Sequence, residues 1–423
     1  MTEDWLAEAL GLQISVFADV TGAGLDGLAG LALRRNPRRA HLLVSRVLAK
    51  HIPVRPGVAL AAAARLADQV PDPLVAGGPA PLVIGYAETA TGLGHALADG
   101  LARRHPDTVY LHSTRRAPPG WSSALAFEEE HSHATAHLLL PVDPGLLAEP
   151  RPVVLVDDEL STGRTACNTI RALHGVAPHP AYLVAALLDL RPPASRRALD
   201  ELAGELGVPV TSVALVRGGL VAPADVADRA STVLRAAGPL AGSVTRMAGP
   251  ARGPVVAHRP PWPAELPDGA RHGWGAEQRH LLDQALPAVA DGLADRLGGG
   301  PCLVVGTEEL MYVPLRLAAL LDERLPAAVR VQSTTRSPVA PLDRDGYAVR
   351  SALAFDAPDE PGRVSYLYNL RPGPAAPEDI VLVTDAAPST SLLAALSSSA
   401  RRAVHVVAVP AYVPVASVAW SAA

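Results

Sequence analysis

An internal repeat constrains this chain more than any other feature. Ser123-Ala-Leu-Ala-Phe127 recurs letter for letter as Ser351-Ala-Leu-Ala-Phe355. Three more segments recur in the same order. Leu82-Val-Ile-Gly85 returns as Leu303-Val-Val-Gly306, and Leu111-His-Ser-Thr-Arg-Arg-Ala-Pro118 as Val331-Gln-Ser-Thr-Thr-Arg-Ser-Pro338. Val153-Val-Leu-Val-Asp-Asp158 returns as Ile380-Val-Leu-Val-Thr-Asp385. The offsets are 228, 221, 220 and 227 residues. That period is too long for a solenoid and marks two related domains.

The repeated apolar runs are short, as buried parallel strands are. Leu82–Ile84, Val109–Leu111, Val153–Val156, Leu183–Leu188, Leu303–Val305, Val329–Val331, Ile380–Val383 and Val404–Val409 fit this reading. Helix-like stretches such as Gly92–Arg104, Thr165–Leu173 and Ser195–Leu206 separate many of them. Strand–helix alternation predicts an α/β protein of two related Rossmann-like domains with mostly parallel sheets. Turn pairs such as Gly218-Gly219 and Pro260-Pro261 crowd residues 217–275. We therefore expect a first domain over 1–245, a Pro/Gly-rich linker over 246–275 and a degenerate second copy over 276–423.

Composition narrows the function. With 37 basic against 42 acidic residues, no cationic excess exists to coat a nucleic acid. Apolar runs fall far short of the ~20 residues a spanning helix needs. The acidic N-terminus lacks the pattern of a signal peptide, so a cytoplasmic protein is expected. Two cysteines without a CxxC motif offer neither a disulfide framework nor a zinc ribbon. Lys50 is the one lysine, which excludes most lysine-based mechanisms.

The chemistry concentrates in Val153-Val-Leu-Val-Asp157-Asp158-Glu159-Leu-Ser161-Thr162-Gly163-Arg164-Thr165. A buried strand delivers two acids to the sheet crevice where α/β proteins bind ligands. The loop then opens a helix, whose unpaired N–H groups and dipole favour a phosphate. Gly163 permits close backbone approach, and Ser161, Thr162 and Thr165 add hydroxyls. Asp157 and Asp158 suit two vicinal sugar hydroxyls or a magnesium shell.

This segment resembles the phosphoribosyl pyrophosphate (PRPP) signature of type I phosphoribosyltransferases, with Glu159 where that family usually has an aliphatic residue. The resemblance implies that fold for the first domain. It implies that Asp157 and Asp158 hold the ribose while Ser161, Thr162, Gly163, Arg164 and Thr165 hold the 5-phosphate. Magnesium would arrive with PRPP beside Asp157 and Asp158, with no metal held by the protein alone. It also implies a pyrophosphate loop, and Glu88, Thr89, Ala90, Thr91 and Gly92 fill that place. A plain helix-capping loop is the alternative. Arg115 and Arg116 are the candidate cations for pyrophosphate, or else a solvated basic turn. The related orotate enzymes carry a catalytic lysine nearby, and this chain has none there.

Glu128-Glu129-Glu130-His131-Ser132-His133-Ala-Thr135-Ala-His137 is dense in titratable groups. Glu129, His131 and His133 are candidates for acceptor recognition or proton handling. His133 and His137 at helical spacing would alternatively hold a metal, and a solvated loop is the third reading. The basic run from Arg34 to Lys50-His51 reads as a phosphate, acceptor or subunit contact, or as a solvated face. Together with Thr335-Arg336-Ser337-Pro338, these segments resemble the orotate-phosphoribosyltransferase-like branch found with bacterial tellurium-resistance and stress-response clusters, which carries a C-terminal TRSP domain.

In the second copy Thr384 replaces Asp157 and Thr390 replaces Gly163, which argues against PRPP there. Glu308, Glu309, Tyr312, Ser333, Thr334 and Arg336 remain as candidates for another ligand; the alternative is a structural or dimerising partner. The expected activity is PRPP-dependent transfer of a phosphoribosyl group to a base-like or other small acceptor, in nucleotide-type metabolism. A homodimer is a family-level expectation. The competing readings are a non-catalytic PRPP or nucleotide sensor and a metal-dependent hydrolase.

Overall fold

The computed structural model describes residues 5–34, 40–72, 78–118, 121–128, 136–238, 244–246, 253–358, 360, 362–371 and 373–411. In chain order its strands are β1 (Gln13–Asp19), β2 (Ala29–Arg34), β3 (His41–Ser45), β4 (Leu82–Gly85), β5 (Val109–His112), β6 (Leu125–Glu128), β7 (Ala136–Leu139), β8 (Val153–Leu160), β9 (Tyr182–Asp189) and β10 (Val210–Val221). The second half contributes β11 (Thr245–Arg246), β12 (Val255–His258), β13 (Cys302–Gly306), β14 (Val329–Ser333), β15 (Val339–Ala340), β16 (Ala352–Asp356), β17 (Val364–Tyr368), β18 (Asp379–Thr384) and β19 (Ala403–Ala408).

Two parallel sheets form the domain cores, as the alternation of strands and helices predicts. The first runs β1-β10-β9-β8-β4-β5, with only β1 antiparallel. The second runs β12-β19-β18-β13-β14. The order β9-β8-β4-β5 is thus repeated as β19-β18-β13-β14. Both central strands of the first sheet are wholly apolar until their carboxyl ends, because helices cover both faces. Pairing of Gly85 with His112 and of Gly306 with Ser333 sets a register of 221 through this segment. Arg336 therefore occupies the place of Arg115, one residue away from the letter match.

The expected linker needs correction. Within 246–275, Val255–His258 forms an edge strand on β19, and Trp274 is fully buried, exchanging backbone hydrogen bonds with Tyr110. Pro and Gly there mark turns between short elements, while the backbone of Val255–His258 pairs with β19 and the Trp274 side chain packs in the core. The two halves share one hydrophobic core. β15 of the second half extends the β2–β3 hairpin of the first, and the backbones of Val54 and Val331 pair directly. No helix among the described residues is long and apolar enough to cross a membrane.

Candidate active site

β4 and β8 are neighbours whose onward connections run to opposite sides, which opens a crevice at their carboxyl ends. The loop after β4 opens the helix Thr91–Ala102, and the loop after β8 opens the helix Arg164–Val176. The helix N-terminus at Gly163 and the loop leading into the other helix therefore border one cavity of about 230 Å³. Its floor is the acid pair and phosphate-type loop, with Asp157, Asp158, Glu159, Ser161, Thr162, Gly163 and Thr165 in the lining.

Gly163 has φ 75°, a left-handed conformation, and a Cβ there would lie 3.2 Å from Arg191 Cδ. It stands at the N-cap without a side chain to cap the helix. The second copy closes that position: Ser389 Oγ accepts from Leu392 N–H at 3.2 Å. Glycine thus leaves a helix end for a ligand where the other domain satisfies its own.

The loop after β4 contributes Tyr86, Ala87, Glu88 and Thr89 to the lining. Ala90, Thr91 and Gly92, expected to contact PRPP, are buried and start the helix instead. Gly85 allows tight approach, since a Cβ there would lie 2.9 Å from the Ala90 carbonyl oxygen. Ser113 Oγ accepts from Ala87 N–H at 2.9 Å and lies 2.8 Å from His137 Nδ1. His137 is buried, stacks on Phe127 and also lines the cavity. Arg115 lines it too, whereas Arg116 faces the second domain's cavity, and Arg164 is exposed outside the first. Glu129, His131 and His133 lie outside the described residues. Among the described residues no group of three His, Cys, Asp or Glu side chains could hold a metal.

The other wall comes from the run between Arg34 and His51, which the sequence left open between a phosphate, acceptor or subunit contact and a solvated face. Arg34, Leu42, Leu43 and Ser45 reach in from the β2–β3 hairpin, followed by Lys50 and His51. Lys50 is buried, not part of a solvated face, and its Nζ donates to Thr89 Oγ1 at 2.7 Å. Its being the one lysine was the available signal. Burial pushes the Glu88 carboxyl up and the His51 imidazole well down. Arg336, Ser337 and Pro338 of the second domain complete the lining. His51 Nε2, Glu88 Oε1 and Arg336 Nε are buried polar atoms without a hydrogen-bond partner.

The second domain has a matching cavity of about 220 Å³. Glu308 is satisfied there by Arg363, Arg336 and Ser365. Glu309 accepts from Thr114 and Arg271; burial opposes its charge, yet these partners hold it at about 2. Thr334 Oγ1 accepts from Glu308 N–H, and Ser333 Oγ donates to the Thr334 carbonyl. Tyr312 faces elsewhere, hydrogen-bonded to Asp99 and stacked on His95. Asp385, the counterpart of Asp158, is pushed up to about 7 by burial and by Asp268 beside it.

Residues 28–219 match the family described as phosphoribosyl transferase, and residues 268–399 match the TRSP domain found C-terminal to it. No curated protein matches the chain. Solved structures similar to it include adenine phosphoribosyltransferases. The Trypanosoma brucei protein is 13% identical over 46% of this chain and 79% of its own, with a TM-score of 0.33. The Rhodothermus marinus protein is 20% identical over 44% and 94%, with a TM-score of 0.29. The Giardia lamblia protein is 17% identical over 48% and 98%, with a TM-score of 0.33. The chain thus carries a phosphoribosyl transferase domain over 28–219 followed by a TRSP domain over 268–399.

Proposed function

We propose that the first domain transfers the phosphoribosyl group of PRPP to a small acceptor and releases pyrophosphate. One observation carries this reading: the Asp157–Asp158 pair and the uncapped helix at Gly163 face the same cavity as Lys50, Arg115 and the β4 loop. The acids suit the vicinal ribose hydroxyls, and the Ser161–Thr165 backbone suits the 5-phosphate. The bond from C1 to the pyrophosphate oxygen breaks as the bond from C1 to the acceptor forms, and the acceptor gives up one proton. Lys50 and Arg115 stabilise charge growing on the leaving group. The carboxylate oxygens of Asp157 and Asp158 fit a hard cation, and magnesium bound with PRPP would neutralise pyrophosphate charge.

Leu42 and Leu43 of the β2–β3 hairpin line the same cavity and offer an apolar wall to a flat acceptor. The test is pyrophosphate release with PRPP, magnesium and a panel of bases and small heterocycles. Release with at least one acceptor, lost in D157N/D158N, is the expected result. PRPP binding without release for any acceptor would favour a sensor.

A further inference from the structure

Arg115 and Arg336 occupy equivalent places 221 residues apart, and each backbone N–H donates across the domain boundary. Arg115 N–H reaches Glu309 Oε1 at 3.2 Å, and Arg336 N–H reaches Glu88 Oε2 at 3.4 Å. Thr114 and Thr335 repeat the pattern, their hydroxyls donating to Glu309 at 2.8 Å and to Glu88 at 3.3 Å. Each domain thus inserts its strand end into the other's loop.

The exchange delivers Arg336, Ser337 and Pro338 into the first domain's cavity. The segment is rigidly held. Tyr368 OH donates to the Ser337 carbonyl at 2.6 Å and accepts from Val339 N–H at 2.8 Å. Tyr347 OH bridges β2 and β15, accepting from Leu33 N–H and donating to the Ala340 carbonyl, both at 2.7 Å. β15 then pairs with β2, so the segment moves only if the hairpin moves.

Charge explains why a cation is needed there. Without Arg336 the lining holds Arg34, Lys50 and Arg115 against Glu88, Asp157, Asp158 and Glu159. A polyanionic ligand faces more acids than cations until the second domain contributes. Arg336 Nη2 is 3.2 Å from Glu308, but its Nε bonds nothing and lies 4.0 Å from Glu88. It stands beside Glu88 in the 86–89 loop.

We propose that Arg336 is a substrate-binding residue of the first domain's site, contacting the pyrophosphate end of PRPP. The second domain then serves the first in cis, while Ser389 caps the corresponding helix end in its own fold. The inference rests on the PRPP reading above, so the ligands must separate the two.

The experiment is calorimetric titration of the full chain with magnesium–PRPP and, separately, ribose 5-phosphate. R336A should weaken PRPP about tenfold or more, the scale of a lost charge-assisted hydrogen bond, and leave ribose 5-phosphate within about twofold. R336K should fall between wild type and R336A. R363A is the control: it also removes a Glu308 partner but does not line the cavity, and it should leave both ligands unchanged. R336Q, which keeps a donor for Glu308, is read in the same way if R336A does not fold. Unchanged PRPP affinity, equal weakening of both ligands, or equal effects of R336A and R363A would overturn the proposal. Wild type that binds no PRPP overturns the functional reading as well.

Discussion

Lys50 and Glu88 form a buried pair, Nζ to Oε2, 3.8 Å apart at the wall of the cavity. The lysine lies in the turn after the β2–β3 hairpin and the glutamate in the loop after β4. Glu88 also accepts from Thr335 and from the Arg336 backbone, so this one carboxylate ties a first-domain cation to a second-domain segment.

Removing Lys50 leaves Glu88 buried with less compensation, which costs about 3 kcal/mol in comparable pairs. K50M should therefore lower both thermal stability and PRPP affinity. Adding E88Q to K50M should recover much of the stability and none of the affinity. Thermal unfolding and PRPP titration on the same samples separate the two effects.

Gly163 makes a sharper local prediction. G163A forces a side chain into the left-handed region at a cost of about 1–2 kcal/mol and brings a Cβ against Arg191. PRPP affinity should fall more than stability does. T390G in the second domain should create no PRPP site, because Thr384 stands where Asp157 would be needed. Binding stoichiometry of one PRPP per chain in T390G checks this.

Acid sensitivity follows from buried histidines. Burial lowers the pKa of His51, His95 and His112, and pushes His272 down to about 4. These rings stay neutral in the folded chain, while the unfolded chain protonates them near the ordinary 6.5. Stability is then full above that value and falls as pH drops from 6.5 toward 4. Each histidine can add up to about 1.4 kcal/mol per pH unit within its own window. The melting temperature should drop from pH 7 to pH 5, and H272Q should drop less steeply. An unchanged slope in H272Q would remove His272 from the account.

Asp385 makes a pH prediction of its own. Asp385 keeps its proton up to about pH 7, while the unfolded chain releases it near 3.8, so stability is lost across that window as pH rises. D385N mimics the protonated form and should raise the melting temperature at pH 8. Melting curves of wild type and D385N at pH 6 and pH 8 check this.

Much of the architecture was legible because its signals are local. Apolar runs ending in Gly85 or Asp157-Asp158 state both the strand and the site at its carboxyl end. The loop at Gly163 states a helix start. What was not legible depends on long-range packing. Nothing near Arg34, Leu42 or Lys50 says that the β2–β3 hairpin folds over the crevice. The Thr335-Arg336-Ser337-Pro338 segment reads as part of the second copy, and only the exchange between domains carries it to the first. The Pro/Gly content of 246–275 obscured the strand at Val255–His258, whose backbone pairs with the second sheet, and Trp274, whose side chain lies in the shared core.

The most direct test of the central claim is magnesium–PRPP titration of wild type beside D157N/D158N by calorimetry, with folding checked by circular dichroism. The account predicts binding of one PRPP per chain in wild type and its loss in a folded double variant. A folded wild-type protein that does not bind PRPP, or a double variant that binds it equally well, would contradict it.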